Sequence, residues 1–448
     1  MPALARWKRA LPIRMNYKTI YFVAGEASAD NHGAALMRAL RSFDADLQFI
    51  GRGGPQMKVI AGKQFENWID KSGVLGLWEV IKHYAYFRKQ FRITLSEIEA
   101  SKADAVVLID YPGFNLRLAR ALHRDPMARR LIYYISPQVW AWNRSRIKKM
   151  AQWIDLMLCI FPFEAELYNQ SGLRTIFVGH PMIERLRAHK SASSSRGEIE
   201  IERDPNLIAL FPGSRSREVR KIFPILIETA HELLRQKPDL RFEVAAASPQ
   251  LAREMEEIVA RSPAMGPTSH LHPFPSIRGE AGTKQSQATV GLGSPLPSRR
   301  GEGGVSGVVQ YQDRQMLEIK VGETADIMQR AFVGIVASGS ATLEAAYFRL
   351  PFVLVYKVSW LTYLAGRLLV RVKYLGMPNV LAEKEVVPEF IQHRAQPRAL
   401  AQAVSRLLDE PSARHNMVSE FDAIISSLGK DDASKNAGQA ILAVLKAR

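Results

Sequence analysis

The sequence predicts an α/β protein of two Rossmann-like domains facing across a cleft, and three observations carry that prediction. From Lys18 a buried strand, a polar turn, a helix and a second strand follow in close succession, the β-α-β opening of a parallel sheet with crossover helices. The alternation pauses after Gly179-His180-Pro181 and restarts at Leu207. In both halves small or polar residues stand where a strand hands over to a helix, which is where ligands sit in such sheets.

Taken in order, Thr19–Ala24 reads as the first strand, Gly25–Asp30 as a polar turn, and Asn31–Arg41 as a helix with Leu36, Met37 and Leu40 facing in. Leu47–Gly51 is a second strand, followed by a glycine-rich loop to Gly54, and Val74–Ile98 is a long helix or helix pair. Strands at Ala105–Ile109, Leu131–Ile135, Leu156–Phe161 and Thr175–Val178 complete the first half. The second half has strands at Leu207–Phe211, Phe242–Ala246, Leu317–Val321, Val333–Ala337 and Phe352–Tyr356, and a helix over Val219–Leu234. The expected organisation is a basic N-terminal extension (1–17), a first domain (18–185), and a linker (186–200) marked by the serine-rich Lys190–Arg196. A second domain (201–428) and a C-terminal helix (429–448) follow. From Met265 to Gly307 the chain is rich in Gly, Ser and Pro, and Pro275–Glu280 recurs in degenerate form at Pro297–Glu302. That composition predicts a disordered insertion (265–307) within the second domain.

At 448 residues the chain is long enough for two or three domains with substantial cores. A net charge of +17 points to an anionic partner: nucleic acid, a membrane surface or phosphorylated substrates. No RNP signature, zinc-finger spacing or helix-turn-helix pattern accompanies it, so nucleic acid ranks last. Cys159 is the single cysteine, which rules out an intrachain disulfide and suits a reducing compartment. No apolar run reaches the roughly 20 residues of a spanning helix, and basic Met1–Arg14 lacks the apolar core of a signal peptide. The reading is cytoplasmic, with any membrane contact peripheral.

The most suggestive stretch is Ile335–Ala346, a buried strand, the turn Ser338-Gly339-Ser340, then a helix. Small turn residues let a ligand approach the backbone, and the helix start favours an anion such as a diphosphate. Glu344 follows Ser340 by one helical turn, where a carboxylate could meet a sugar hydroxyl. Many such turns bind nothing. Gly213-Ser214-Arg215 repeats the arrangement and adds a guanidinium, which matches phosphate oxygens bidentately but is disfavoured by the dipole at a helix start unless an anion joins it. Asp110 ends a strand, where it fits a general base and, just as well, an N-cap for the helix beginning near Asn115.

Trp140 and Trp142, followed by Arg144, Arg146, Lys148 and Lys149, fit either a core aromatic pair beside a solvated face or an anion-binding surface. Val74–Tyr84, with Val74, Leu75, Leu77, Trp78 and Ile81 ahead of Arg88, Lys89 and Arg92, fits an interfacial helix or an ordinary buried one. Asp44-Ala45-Asp46 reads as a turn, and the ten histidines show no ligand spacing, so no metal or other cofactor is implied.

Several stretches together resemble the lipid-A-disaccharide synthase family, inverting glycosyltransferases of the two-Rossmann (GT-B) architecture. They are Ala24–Ser28 with Asp30 and Gly33, Ile109–Pro112 with Phe114 and Asn115, Tyr134–Pro137, Val139–Trp142, Phe161–Glu164 and Val178–His180. Leu210–Arg215 with Glu218, Ala337–Glu344 and Pro378–Ala382 follow in consistent order, so the likeness spans Lys18 to Leu428. The family usually has glycine where this chain has Ala29 and an aliphatic residue where it has His32; the insertion and the basic start are extra.

The resemblance implies transfer of 2,3-diacylglucosamine from its UDP conjugate to the 6-hydroxyl of 2,3-diacylglucosamine 1-phosphate, giving a β-1,6-linked disaccharide phosphate and UDP. Under it, Gly213, Ser214, Arg215, Ser338, Gly339 and Ser340 stabilise the UDP leaving group, Glu344 binds the ribose and Asn379 helps hold the donor. Asp110 takes the acceptor's proton, with Glu26 and Asp30 as the next candidates. The acceptor side, with the Val74–Lys89 stretch, meets the anionic inner face of the inner membrane, and a homodimer is compatible with it. Two other classes fit less of the chain. One is a related enzyme on another UDP-sugar, such as a peptidoglycan-type N-acetylglucosaminyltransferase or a UDP-sugar epimerase; the other is a non-catalytic nucleotide-sugar or membrane-binding protein.

Overall fold

A computed structural model describes residues 18–69, 84–123, 129–194, 202–262, 306–311, 314–360, 363 and 372–446. The chain divides into two compact units, one running to Gly197 and including Ser426–Arg448, the other made of Glu198–Leu368 and Val372–Ile425.

The first unit is a seven-stranded sheet of β1 (Thr19–Ala24), β2 (Gln48–Gly53), β3 (Phe65–Asn67), β4 (Ala105–Ile109), β5 (Arg130–Tyr134), β6 (Leu156–Cys159) and β7 (Thr175–Phe177). Its order is β3-β2-β1-β4-β5-β6-β7, and every pair is parallel. Central strands covered on both faces read as unbroken apolar runs, and β4 is buried at all five positions. The first helix spans Ala27–Phe43, starting four residues before the expected Asn31, so most of the expected polar turn is helical. Ala29 lies in its first turn, where alanine is the best helix former, which accounts for the absence of glycine there.

Helix Tyr84–Ser101 is the described part of the expected long helix; Val74, Leu75, Leu77, Trp78 and Ile81 lie outside the described residues. Helix Ala433–Lys446 returns to this unit, adding Ala437, Ile441, Val444 and Leu445 to its core. It is fastened at its start by Glu184, which accepts from the Ser434 backbone (3.1 Å) and hydroxyl (2.7 Å). Helix Pro181–Ser194 runs through much of the stretch expected as a linker, because Glu184, Leu186, Arg187 and Ala188 sustain helix.

The second unit has β8 (Asp204–Phe211), β9 (Arg241–Ala246), β10 (Ser306–Tyr311), β11 (Arg314–Val321), β12 (Ala331–Ala337), β13 (Phe352–Tyr356) and β14 (Glu389–Ile391). The order is β10-β11-β9-β8-β12-β13-β14, parallel except for β10 against β11. Ser306 and Gly307, expected at the end of the insertion, open β10; the remainder of the insertion lies outside the described residues.

Both sheets reverse their winding once. In the first, the chain steps outward from β1 to β2 and β3, then returns to place β4 on the other side of β1. In the second, β9 and β12 flank β8 in the same way. Adjacent connections there leave toward opposite faces and open a crevice beyond the carboxyl ends of β1/β4 and of β8/β12.

Candidate active site

Glu26 and Asp110 flank the β1/β4 crevice. Asp110 and Tyr111 have φ of 46° and 50°, and Ile135, after the neighbouring β5, has 64°. Left-handed backbone at non-glycine residues costs of order 1–3 kcal/mol each and persists only where the surroundings impose it. Here they do. The Asp110 N–H donates to the Tyr134 carbonyl at 3.0 Å, and the Asp110 carbonyl accepts from the Tyr133 hydroxyl at 2.6 Å and from Asn115 Nδ2 at 2.7 Å. Ile135 donates its N–H to Leu158 at 2.9 Å.

Of the two jobs open to Asp110, capping falls away. The N-cap of helix Pro112–Leu122 is Tyr111, and no side-chain cap hydrogen bond is made. Burial pushes the Asp110 carboxyl up to about 6, the negative charge of Glu26 adds to this, and a hydrogen bond with the Tyr111 backbone opposes it. Glu26 itself is exposed at the N-cap of helix Ala27–Phe43. Asp30, the other alternative to Asp110, makes structural contacts. It is 3% exposed, and its carboxylate accepts the backbone N–H groups of Gly54 (3.0 Å), Gln56 (2.9 Å) and Met57 (3.0 Å), closing the start of helix Pro55–Ala61. A carboxylate whose oxygens take up three backbone donors ties the loop to the helix start.

His32 is close enough to His180 to act on it, and Arg185 acts on both. Burial, then the Arg185 charge, lowers His32 to about 4; burial, then His32, lowers His180 to about 3. His32 is therefore uncharged at neutral pH, which is how it stands where the family has an aliphatic side chain.

The β8/β12 crevice is lined by the two small-residue turns. Gly213 has φ of 114°, and a Cβ there would stand 2.6 Å from Glu218 Oε2, so both conformation and space require glycine. Glu218 accepts the Ser214 N–H at 3.2 Å and a guanidinium N–H of Arg215 at 3.3 Å. The cation at the start of helix Ser216–Gln236 thus has a carboxylate partner within the chain, which the sequence argument for an external anion did not foresee. Ser338 follows β12 and donates its N–H to Val355 at 3.1 Å, while Gly339 and Ser340 are exposed. Glu344 lies in the first turn of helix Ala341–Tyr347. Tyr356 ends β13 close enough to Glu218 and Arg215 for both to act on its hydroxyl, and nothing in its sequence context signalled it.

Asn379, expected to help hold the donor, makes its own contacts within the unit. It is 0% exposed, and all its hydrogen-bonding capacity is used internally. Oδ1 accepts the N–H groups of Val386 (2.7 Å) and Val387 (2.8 Å); Nδ2 donates to the Val387 carbonyl (2.8 Å) and to Glu389 (2.9 Å). Glu389, unnoticed in the sequence, also accepts from the N–H groups of Leu375 (3.0 Å) and Gly376 (2.8 Å). The pair braces the segment entering helix Met377–Ala382, whose Leu375 carbonyl accepts from the Ser338 hydroxyl at 3.5 Å.

Elsewhere, Trp140 proves to be a core residue, donating its indole N–H to buried Glu164 at 2.9 Å. Arg88, Lys89, Arg144, Lys148 and Lys149 are exposed. Asp44 accepts the Asp46 N–H at 3.1 Å, the hydrogen bond of a tight turn.

Solved structures share this arrangement across nearly the whole chain. An S. aureus MnaA structure with UDP has a TM-score of 0.57 at 12% identity, covering 96% of this chain and 97% of that one. UDP-GlcNAc 2-epimerase from Neisseria meningitidis bound to UDP-GlcNAc scores 0.55 at 9% identity, with 96% and 100% covered. The glycotransferase of kitacinnamycin scores 0.53 at 10% identity, with 96% and 99% covered. The fold is therefore the two-Rossmann GT-B type found in glycosyltransferases and nucleotide-sugar epimerases.

Sequence relatives narrow the class to one family. The profile of the lipid-A-disaccharide synthetase family matches residues 20–267 and 308–444, breaking where the Gly/Ser/Pro-rich insertion lies. The lipid-A-disaccharide synthase of Geobacter sulfurreducens is 33% identical over 428 residues, covering 95% of this chain and 97% of its own length. That of Pseudomonas aeruginosa is 33% identical over 430 residues, with 96% and 98% covered. The chain belongs to the lipid-A-disaccharide synthase family, and it is a glycosyltransferase.

Proposed function

We propose a division of labour for the reaction of this family, the transfer of 2,3-diacylglucosamine from UDP to the 6-hydroxyl of 2,3-diacylglucosamine 1-phosphate. The first unit supplies the base. Asp110 takes the proton of the 6-hydroxyl as that oxygen attacks the anomeric carbon, and the bond to the UDP oxygen breaks in the same in-line step. The second unit takes the charge that appears on UDP, through the backbone N–H groups of Ser338–Ser340 and Gly213–Arg215 and the Arg215 guanidinium, as preorganised donors do. Glu344 faces the ribose. The acyl chains, at about 0.8 kcal/mol per buried methylene, keep both substrates in the bilayer, so the enzyme works at its surface. The exposed cations Arg88 and Lys89 support contact with an anionic cytoplasmic face. Among the described residues no helix is long and apolar enough to cross a membrane.

The observation that carries this reading is Asp110: at the crevice, free of capping, and with its carboxyl raised to about 6. A base poised near neutrality contributes about 10²–10⁴-fold. Asp110→Asn should lower kcat at least about a hundredfold while leaving UDP affinity unchanged. The wild-type rate should fall as pH drops below about 6, where Asp110 takes up its proton. Near-normal turnover in the variant would move the base to Glu26.

A further inference from the structure

Tyr111 sits beside the proposed base in a slot that this chain goes to some length to make. A Cβ on Gly25 would stand 2.3 Å from Tyr111 Cδ1, 2.5 Å from Cγ and 2.7 Å from Cε1, so only glycine lets the ring lie there. Gly25 is not among the positive-φ glycines, so the ring, not the turn, is what requires it. Trp68 meets the ring at 6.3 Å with an interplanar angle of 86°, and Phe114 at 6.1 Å and 32°. Trp68 is itself fixed, donating its indole N–H to the Ala24 carbonyl at 2.7 Å with the Arg52 guanidinium over its ring.

Despite this packing Tyr111 remains half-buried, and its hydroxyl has no hydrogen-bond partner among the described residues. Burial pushes that hydroxyl up to about 12, and Glu26 and Tyr86 add to the shift. Its backbone is strained at φ of 50°, a strain that glycine would remove. A rigid aromatic with two side-chain torsions, an apolar body and a polar tip that no described residue occupies, next to a base, is suited to a sugar: C–H groups against the ring, an oxygen at the hydroxyl.

We propose that the glucosamine ring of the acceptor is seated on Tyr111, which holds the 6-hydroxyl toward Asp110. The proposal rests on the reading of Asp110 as base, and the test separates the two. Initial rates are measured with saturating UDP-diacylglucosamine while diacylglucosamine 1-phosphate is varied in mixed micelles. Tyr111→Leu keeps the bulk but loses the aromatic face and hydroxyl, and should raise the acceptor KM about tenfold. The donor KM should stay within twofold. Tyr111→Phe should recover most of the loss, and Gly25→Ala, which displaces the ring without altering it, should raise the acceptor KM in the same direction. Asp110→Asn run alongside should lower kcat without that KM shift. Should Asp110 prove dispensable while Tyr111→Leu still raises the acceptor KM, the platform stands and only the base is reassigned. An acceptor KM within twofold of wild type in folded Tyr111→Leu, or an equal rise in both KM values, would overturn it.

Discussion

At the β1/β4 crevice positive φ falls on Asp110 and Tyr111, whereas at the β8/β12 crevice it falls on Gly213 and Gly339. The two sheets share their winding, so topology does not explain the difference. Chemistry does. Where a turn offers backbone N–H groups to a ligand, glycine takes the conformation at little cost and brings the main chain close. Where the turn must carry a carboxylate and an aromatic ring, strain is accepted and the neighbours hold it, as Tyr133 and Asn115 hold the Asp110 carbonyl. In the second unit polar side chains brace the approach to the turn: buried Asn379 and half-buried Glu389 hold the segment from Leu375 to Val387.

This contrast predicts that the second crevice is broken most severely through its brace. Asn379→Ala leaves the buried N–H of Val387 and the part-buried N–H of Val386 without their acceptor. Each buried group left unpaired costs about 1–3 kcal/mol, so the variant should lose about 2–5 kcal/mol of stability by denaturant unfolding. The donor site should weaken with it. A loss under about 0.5 kcal/mol, the range of an ordinary surface change, would show that the brace is dispensable.

Arg215→Ala should act more gently and in another quantity. The guanidinium is 79% exposed and its partner Glu218 is in the same turn, so removing it should leave the melting temperature nearly unchanged. UDP affinity should fall by roughly 1.5–3 kcal/mol, the range of a hydrogen bond to a charged group. Calorimetry showing unchanged affinity would remove Arg215 from the donor site.

How much of this could be read from the chain depended on whether the signal was local. The two-half α/β architecture was legible because β4, β12 and β13 are buried apolar runs of five to seven residues closed by turns. β3 and β14 are three residues each, too short for any period, and β10 is an edge strand reached from a segment without apolar pattern. Glycine-bearing turns were legible for the same reason as strands: Gly213 and Gly339 advertise unusual backbone in the sequence itself. The strained pair Asp110-Tyr111 advertises nothing, because its conformation is imposed by Tyr133 from another strand. The internal roles of Asp30 and Asn379 were not legible because a polar residue near a turn looks alike whether it meets a ligand or a buried backbone. Only the distances from Asp30 to Gly54 and from Asn379 to Val386 separate those cases. Glu389 had no local signal, since its partners lie ten or more residues earlier in the chain.

The mildest expected effect sets the two crevices apart most directly, because it reverses the usual sign. Removing a functional side chain normally costs stability, as Asn379→Ala should, yet Asp110→Asn should stabilise the fold. Burial and Glu26 raise the Asp110 carboxyl from 3.8 to about 6, so the folded chain holds its proton more tightly than the unfolded chain does. Its contribution is fully present below about pH 4 and is lost as pH rises through about 6; above that the folded state carries a disfavoured charge. Asparagine removes that charge and is also at ease in left-handed backbone, which adds a smaller part that does not depend on pH. Asp110→Asn should therefore be more stable than wild type by about 1–3 kcal/mol at pH 7.5, with most of the gain gone at pH 4. Denaturant unfolding at the two pH values measures it. An equal difference at both would mean that Asp110 ionises as an ordinary carboxylate; the strain at 110–111 would then serve geometry alone, and the crevice would hold no poised base.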